Sequence, residues 1–289
     1  MIGFLGPHGT YTEQAAKFFA FMFGETSVPI RPYASITQVF DAVEIGDVMY
    51  AALPIENSLE GSVLVTLDRL SVAPLYIFAE VSLPIRHAVF GWKDTDHDRV
   101  KQVLSHPQAL AQCRNTLLRL FPYAVHIDVD STAAAIAKVA KEQDPTQVCV
   151  GSVEAGQATL LQLLHMDAQD VPDNVTRFVL IGQQEHPVPV SIAQAQAAAV
   201  HKTSLLLQLG DDHPGALYDV LKVFAKSELN LSRLESRPTK KGLGSYQFYL
   251  DVLGVRDDAR VLDALQQIEQ IEGFSMRDLG SYPCFTHFK

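Results

Sequence analysis

IGFLGPHGTYTEQAA, residues 2–16, holds the pattern on which much of the chain is built. Ile2 to Leu5 form a short apolar run of strand type, stopped by Gly6 and Pro7. Thr10-Tyr-Thr-Glu13 then has the form of a capping box, in which a hydroxyl and a carboxylate satisfy free N–H groups at a helix start. Gly24 ends that helix. Ser35-Ile-Thr-Gln38 repeats the device, with Gly46 as its stop and YAALPI, 50–55, as the next strand. Further apolar runs are LYIFAEVSLPIRHAVFG (75–91), VKQVLS (100–105), AVHIDV (124–129), QVCVG (147–151) and TRFVLIG (176–182), with helical patterns over about 107–120, 132–142 and 153–164. Strands alternating with helices predict an α/β architecture with mostly parallel sheets. Ligands then collect beyond the carboxyl ends of the strands, where helix N-termini converge.

Residues 185–201, EHPVPVSIAQAQAAAVH, change to prolines and then to small residues and glutamine, which reads as a linker. Beyond it come strand TSLLLQLG, a helix over 215–227, strands LSRLESRP and SYQFYLDVLG, a helix over 258–271 and strand FSMRDLG. The order βαββαβ predicts a ferredoxin-like plait. The expected organisation is a domain of two α/β lobes over 1–184, the linker, and a second domain over 202–289.

At 289 residues, 47% hydrophobic and 19% charged, the chain is long enough for two domains with cores of their own. Its net charge of −10 argues against nucleic-acid or anionic-membrane partners, which need a basic face. MIGFL is too short for a signal peptide, and no other apolar stretch is long enough to span a bilayer, so a cytoplasmic protein is expected. Cys113, Cys149 and Cys284 are odd in number and far apart, as reduced thiols are. Neither CxxC nor HExxH occurs, and DTDHD at 94–98 reads as a solvated turn rather than a metal site. The glycines at 3, 6 and 9 miss the dinucleotide spacing.

Four polar stretches fall at strand ends. In PIENS, 54–58, Glu56 and Asn57 follow a strand, and Asn57 is either a ligand contact or a helix cap. In SHPQALAQC, 105–113, Ser105 ends a strand, Pro107 suits a first helical turn and Gln112 lies one turn in. His106 there is a general base or a structural histidine. In DSTAAA, 130–135, Asp130, Ser131 and Thr132 are ligand contacts or caps. In NVTRF, 174–178, a hydroxyl stands beside a guanidinium. Thr176 in a dry site can assist a leaving oxygen, and Arg177 either clamps a carboxylate or lies on the surface. Together they suit a substrate with both a carboxylate and a leaving hydroxyl.

The ordered set GPHGTYTEQAA, PIENSLEGSV, LPIRH, SHPQALAQC, DSTAAA and NVTRF resembles prephenate dehydratase along the first domain. HPGALYDVL and NLSRLESRP resemble the phenylalanine-binding motifs of the ACT domain joined to those enzymes. The resemblance implies decarboxylative dehydration of prephenate to phenylpyruvate without cofactor or metal. It also implies a bilobed catalytic fold like that of periplasmic binding proteins, followed by the plait. Thr176 matches the catalytic threonine, Arg177 a carboxylate clamp and Phe178 a packing group behind them. Asn57, Ser105 and Gln112 match substrate-positioning residues, with Glu56 and Thr132 beside them, and Asp130 stands where a glutamate is expected. Effector contacts fall on Gly215, Ala216 and Leu217, on Asn230 and Leu231, and on Glu235, Ser236, Arg237 and Pro238. GALY departs from the usual GALV at Tyr218. Feedback by L-phenylalanine, a homodimer or homotetramer, and a monofunctional enzyme with no chorismate mutase segment ahead of it are expected. Arogenate as substrate, or a non-catalytic amino-acid sensor, are the competing readings.

Overall fold

The computed structural model describes residues 1–24, 28–184, 200–209, 214–239 and 245–286. The first lobe runs β1 (Ile2–Leu5), α1 (Tyr11–Met22), β2 (Ile30–Tyr33), α2 (Ile36–Glu44), β3 (Tyr50–Asn57), β4 (Gly61–Ser62), α3 (Leu64–Leu70) and β5 (Leu75–Pro84). Hydroxyl caps start its first two helices: Thr10 accepts from the Glu13 N–H and Ser35 from the Gln38 N–H. The reciprocal halves of the predicted capping boxes go elsewhere, since Glu13 takes the N–H of Gly9 and Gln38 that of Ala34. Gly24 and Gly46 have positive φ, as helix-ending glycines do.

The apolar run 75–91 divides between two sheets, and the chain crosses to the second lobe at Ile85-Arg86-His87. That lobe contains β6 (Ala88–Gly91), β7 (Gln102–Ser105), α4 (Pro107–Gln112), α5 (Arg114–Leu120), β8 (Val125–Asp128), α6 (Thr132–Glu142), β9 (Gln147–Gly151), α7 (Val153–Gln157) and β10 (Gln162–His165). Its sheet has the order β10-β6-β9-β7-β8. The chain returns as β11 (Val175–Gln183), inserted antiparallel between β3 and β5. Both sheets are mixed rather than mostly parallel: β11, coming back from the other lobe, enters the first sheet from the opposite end, and in the second sheet β6 runs antiparallel to β9 and β10.

Two predicted helices are shorter than their periodicity suggests. The helix over 107–120 breaks at Cys113, where Asp170 from the return segment accepts the N–H groups of Asn115 and Thr116 and so starts α5 afresh. The helix over 153–164 stops after one turn, and 162–165 pairs with β6 instead.

The second domain is the expected plait: β12 (Val200–Leu209), α8 (Ala216–Lys226), β13 (Leu231–Pro238), β14 (Tyr246–Leu253), α9 (Ala259–Glu269) and β15 (Phe274–Thr286). Residues 185–199 of the predicted linker lie outside the described residues. Strand β15 outruns the expected FSMRDLG by six residues and pairs in parallel with β5, Cys284 beside Glu80. One ten-stranded sheet thus runs through both domains in the order β13-β14-β12-β15-β5-β11-β3-β1-β2, with β4 on β3. Gly280 permits this approach: its φ is +129° and a Cβ there would lie 2.3 Å from the Ile77 carbonyl oxygen. A shared apolar core joins the domains. Leu206, Tyr249, Leu279 and Tyr282 pack with Val39, Leu53, Leu67 and Leu70, burying apolar surface on both sides. Arg277 adds a polar fastening, donating to the Leu70, Ser71, Ala73 and Leu75 carbonyls at the end of α3.

Candidate active site

A cleft of about 1030 Å³ lies where the two crossings between lobes meet. The N-terminal turns of α1 and α6 face it with Thr10, Tyr11, Ser131 and Thr132, and His106 and Gln108 border it at the start of α4. Asn57 and Gly61 come from the β3–β4 turn, and Thr176 and Phe178 from β11. Ser131 caps α6 by accepting from the Ala134 N–H, so the positive ends of the α1 and α6 dipoles are presented to the cleft. Among the described residues that line it there is no lysine or arginine.

A directional chain of hydrogen bonds crosses the floor. His87 Nε2 lies 3.1 Å from Gln112 Oε1, which also accepts from Asn174 Nδ2 at 3.1 Å. Asn57 Nδ2 donates to Asn174 Oδ1 at 2.7 Å and to Thr176 Oγ1 at 2.8 Å. The Leu59 and Glu60 N–H groups hold Asn57 Oδ1, which fixes the orientation of its amide. Thr176 Oγ1 accepts from Asn57, which leaves its own O–H able to donate, and Thr176 lines the cleft. Gln112 Oε1 is an acceptor twice over, so neutral His87 carries its proton on Nε2, and its buried Nδ1 has no hydrogen-bond partner among the described residues. Burial holds the His87 pKa below its ordinary value, partly offset by the bond to Gln112.

Of the expected substrate contacts, Asn57, Gln112, Asp130, Thr132, Thr176 and Phe178 line the cleft. Three do not. Ser105 is fully buried and donates to the Val150 carbonyl at 2.7 Å, tying β7 to β9. Glu56 and Arg177 lie on the far face of the sheet, because successive residues of a strand point to opposite sides. Thr176 is registered with Asn57 on the cleft face and Arg177 with Glu56 behind it. Arg177 Nη1 lies 2.5 Å from Glu56, and Nη2 lies 2.5 Å from Glu80 and 2.7 Å from Asp251. A guanidinium so occupied is not positioned to clamp a substrate carboxylate. Asn174 and His87, by contrast, received no role from the sequence, although NVTRF begins with one and LPIRH ends with the other. Their burial, at 1% and 3% exposure, and their partners up to 117 residues away are visible only in the fold.

In the second domain, Gly215 adopts φ +95° as the N-cap of α8, with Ala216 and Leu217 opening that helix. Asn230 is exposed just before β13, and Leu231 packs under the plait helices. Along β13, Ser236 and Pro238 are exposed, whereas Glu235 accepts from Ser62 and Arg237 pairs with Asp68 at 2.8 Å, both in the first lobe. Among the described residues no group of three or more His, Cys, Asp or Glu side chains is arranged to hold a metal, and no helix is long and apolar enough to cross a membrane.

Residues 2–186 match the family model for prephenate dehydratase, and residues 203–270 that for the ACT domain. A prephenate dehydratase from Methanocaldococcus jannaschii is 38% identical over 285 residues, covering 96% of both chains. The crystal structure of prephenate dehydratase from Arthrobacter aurescens in complex with L-Phe superposes with a TM-score of 0.85 at 33% identity, covering 98% of this chain and 89% of that one. A structure described as a quorum-quenching acylase superposes with a TM-score of 0.80 at 26% identity, covering 98% and 97%. By the family models and the relative matched along nearly its whole length, the chain belongs to the prephenate dehydratase family, a family of carbon–oxygen lyases, with an ACT domain following the catalytic one.

Proposed function

We propose that this chain converts prephenate to phenylpyruvate and that L-phenylalanine, bound by the ACT domain, inhibits it. The observation that carries the catalytic reading is the Thr176 hydroxyl, which accepts from Asn57 and is free to donate into the cleft. Prephenate is a dianion. Its ring becomes aromatic when the ring carboxylate leaves as carbon dioxide, the electrons of that C–C bond enter the ring, and the C–O bond to the para hydroxyl breaks. The departing hydroxide gathers negative charge, and a donor already oriented toward it stabilises that charge more than it does the neutral hydroxyl. Protonation of the hydroxide then gives water. The helix N-termini at Thr10–Tyr11 and Ser131–Thr132 meet the carboxylates with dipoles rather than full charges. Acylase activity, the description given to one structural relative, would require a base if Thr176 were to serve as the nucleophile. Among the described residues the side chain bonded to the Thr176 hydroxyl is an amide, that of Asn57.

The regulatory reading rests on the L-Phe complex of the Arthrobacter relative and on Gly215–Leu217, Asn230–Leu231 and Glu235–Pro238 as effector contacts. Strand β13 ends the ten-stranded sheet, so its outer edge offers backbone groups to a second copy, as a homodimer or a pair of dimers would use. The test is phenylpyruvate formation by purified protein at neutral pH, with and without L-phenylalanine, against an enzyme-free control and a parallel arogenate reaction. Enzyme-dependent product from prephenate, suppressed by phenylalanine, is expected. Turnover of arogenate alone would replace the substrate, and no product from either would leave a binding protein.

A further inference from the structure

We propose that Arg177 is a positioning residue for Thr176, acting from the far face of the sheet, and that Asp251 makes this position depend on the state of the ACT domain. The proposal rests on the reading of Thr176 and of phenylalanine control given above.

Arg177 is the hub of a cluster drawn from both domains. Glu56, Glu80 and Arg177 come from β3, β5 and β11 of the catalytic domain; Lys202, Ser204, Asp251 and Tyr282 come from β12, β14 and β15 of the ACT domain. Lys202 Nζ lies 2.7 Å from Glu80, Ser204 donates to Asp251 at 2.6 Å, and the Ser204 and Tyr282 hydroxyls are 2.7 Å apart. Asp251 is 3% exposed and Glu80 2%. Arg177 and Arg233 hold Asp251 below the usual carboxylate range although burial alone would raise it. Charges so deep are costly to desolvate, and the shared apolar core around Tyr249 and Leu206 already docks the domains. An ionic cluster centred on the residue next to the catalytic hydroxyl therefore asks for another role.

The backbone supplies it. Thr176 and Arg177 are joined by one peptide unit, so a guanidinium gripped by three carboxylates fixes how the Thr176 side chain stands on the opposite face. One of the three carboxylates belongs to the ACT domain. Asp251 is registered with Arg233 on β13, the strand that carries the effector motif. Arg233 in turn donates to Ser62, which lines the cleft and donates to Glu235 of the same motif. A shift of β13 thus reaches Thr176 through Asp251 and Arg177, and the cleft rim through Ser62.

The experiment uses the full chain with prephenate, comparing wild type, Arg177→Lys and Asp251→Asn, each checked for folding by circular dichroism. A positioning role predicts kcat lowered about 10-fold or more in Arg177→Lys with KM within about twofold, because the guanidinium touches no substrate. Asp251→Asn should lower kcat less and raise the phenylalanine concentration for half-inhibition about 10-fold. If Asp251→Asn does not fold, Ser204→Ala removes one support of the same carboxylate, keeps every charge, and should shift inhibition in the same direction. A rise in KM at unchanged kcat in Arg177→Lys would restore the carboxylate clamp and overturn the proposal. So would wild-type inhibition in the folded Asp251 or Ser204 variant. A wild-type enzyme with no turnover or no response to phenylalanine would defeat the earlier reading instead, before any variant is made.

Discussion

The two faces of β11 handle charge in opposite ways. Toward the cleft, Thr176 joins Asn57, Asn174 and Gln112, all neutral, in a chain whose donors and acceptors each have a fixed direction. Toward the ACT domain, Arg177 sits among Glu56, Glu80 and Asp251, with Lys202 and Arg233 close by. A fixed cation in the cleft would stabilise the dianionic substrate as much as the transition state, which lowers KM without raising kcat. On the proposed mechanism, oriented amides and helix ends would hold the substrate less tightly and keep the strongest aim for the hydroxide that forms only as the bond breaks. The full charges of the far face serve to fix geometry, at the cost that loss of any one partner leaves another unmatched.

The comparison breaks most visibly at Thr176. Thr176→Ala should lower kcat about 1000-fold, as removal of an oriented donor does, with little change in melting temperature. Steady-state assay and thermal denaturation of the same sample check both halves. On the far face the effect should fall on stability: Glu80→Gln leaves Arg177 and Lys202 short of a carboxylate and should cost about 3 kcal/mol, read from denaturant midpoints. Asn174→Ala sharpens the cleft side. It removes the link between Asn57 and Gln112 without touching Thr176, and should lower kcat about 10-fold while the fold persists.

The smallest effect is one of pH. His87 has a folded pKa below its unfolded value, so the folded state favours the neutral ring. Its stabilising contribution is complete above the unfolded value, about 6.5, and declines as pH falls through it toward the lowered one, since the unfolded chain then binds a proton that the folded chain refuses. Melting temperature should therefore drop on acidification through that range, and less so in His87→Gln.

Much of the frame was legible because its signals are local. Thr10, Ser35 and Ser131 cap helices where their spacing says they should, and the βαββαβ order of the ACT domain is read directly from alternating runs. What escaped depends on partners far along the chain. Asp170 divides one predicted helix into two, and the return of β11 from the second lobe makes the first sheet mixed. Asn174 and His87 sit within recognisable stretches, but their meaning lies in bonds to residues on other elements. Arg177 was the nearest miss. Strand alternation alone separates it from Thr176, yet adjacent polar residues invite a shared role, and the three carboxylates that claim its guanidinium come from β3, β5 and β14.

The most direct single measurement is kcat for prephenate in Thr176→Ser beside Thr176→Ala. If the oriented hydroxyl drives departure of the leaving group, serine should retain activity within about 10-fold of wild type while alanine loses about 1000-fold, both with near-normal KM. Equal activity in the two variants, at either level, would show that the hydroxyl is not the group on which the chemistry depends.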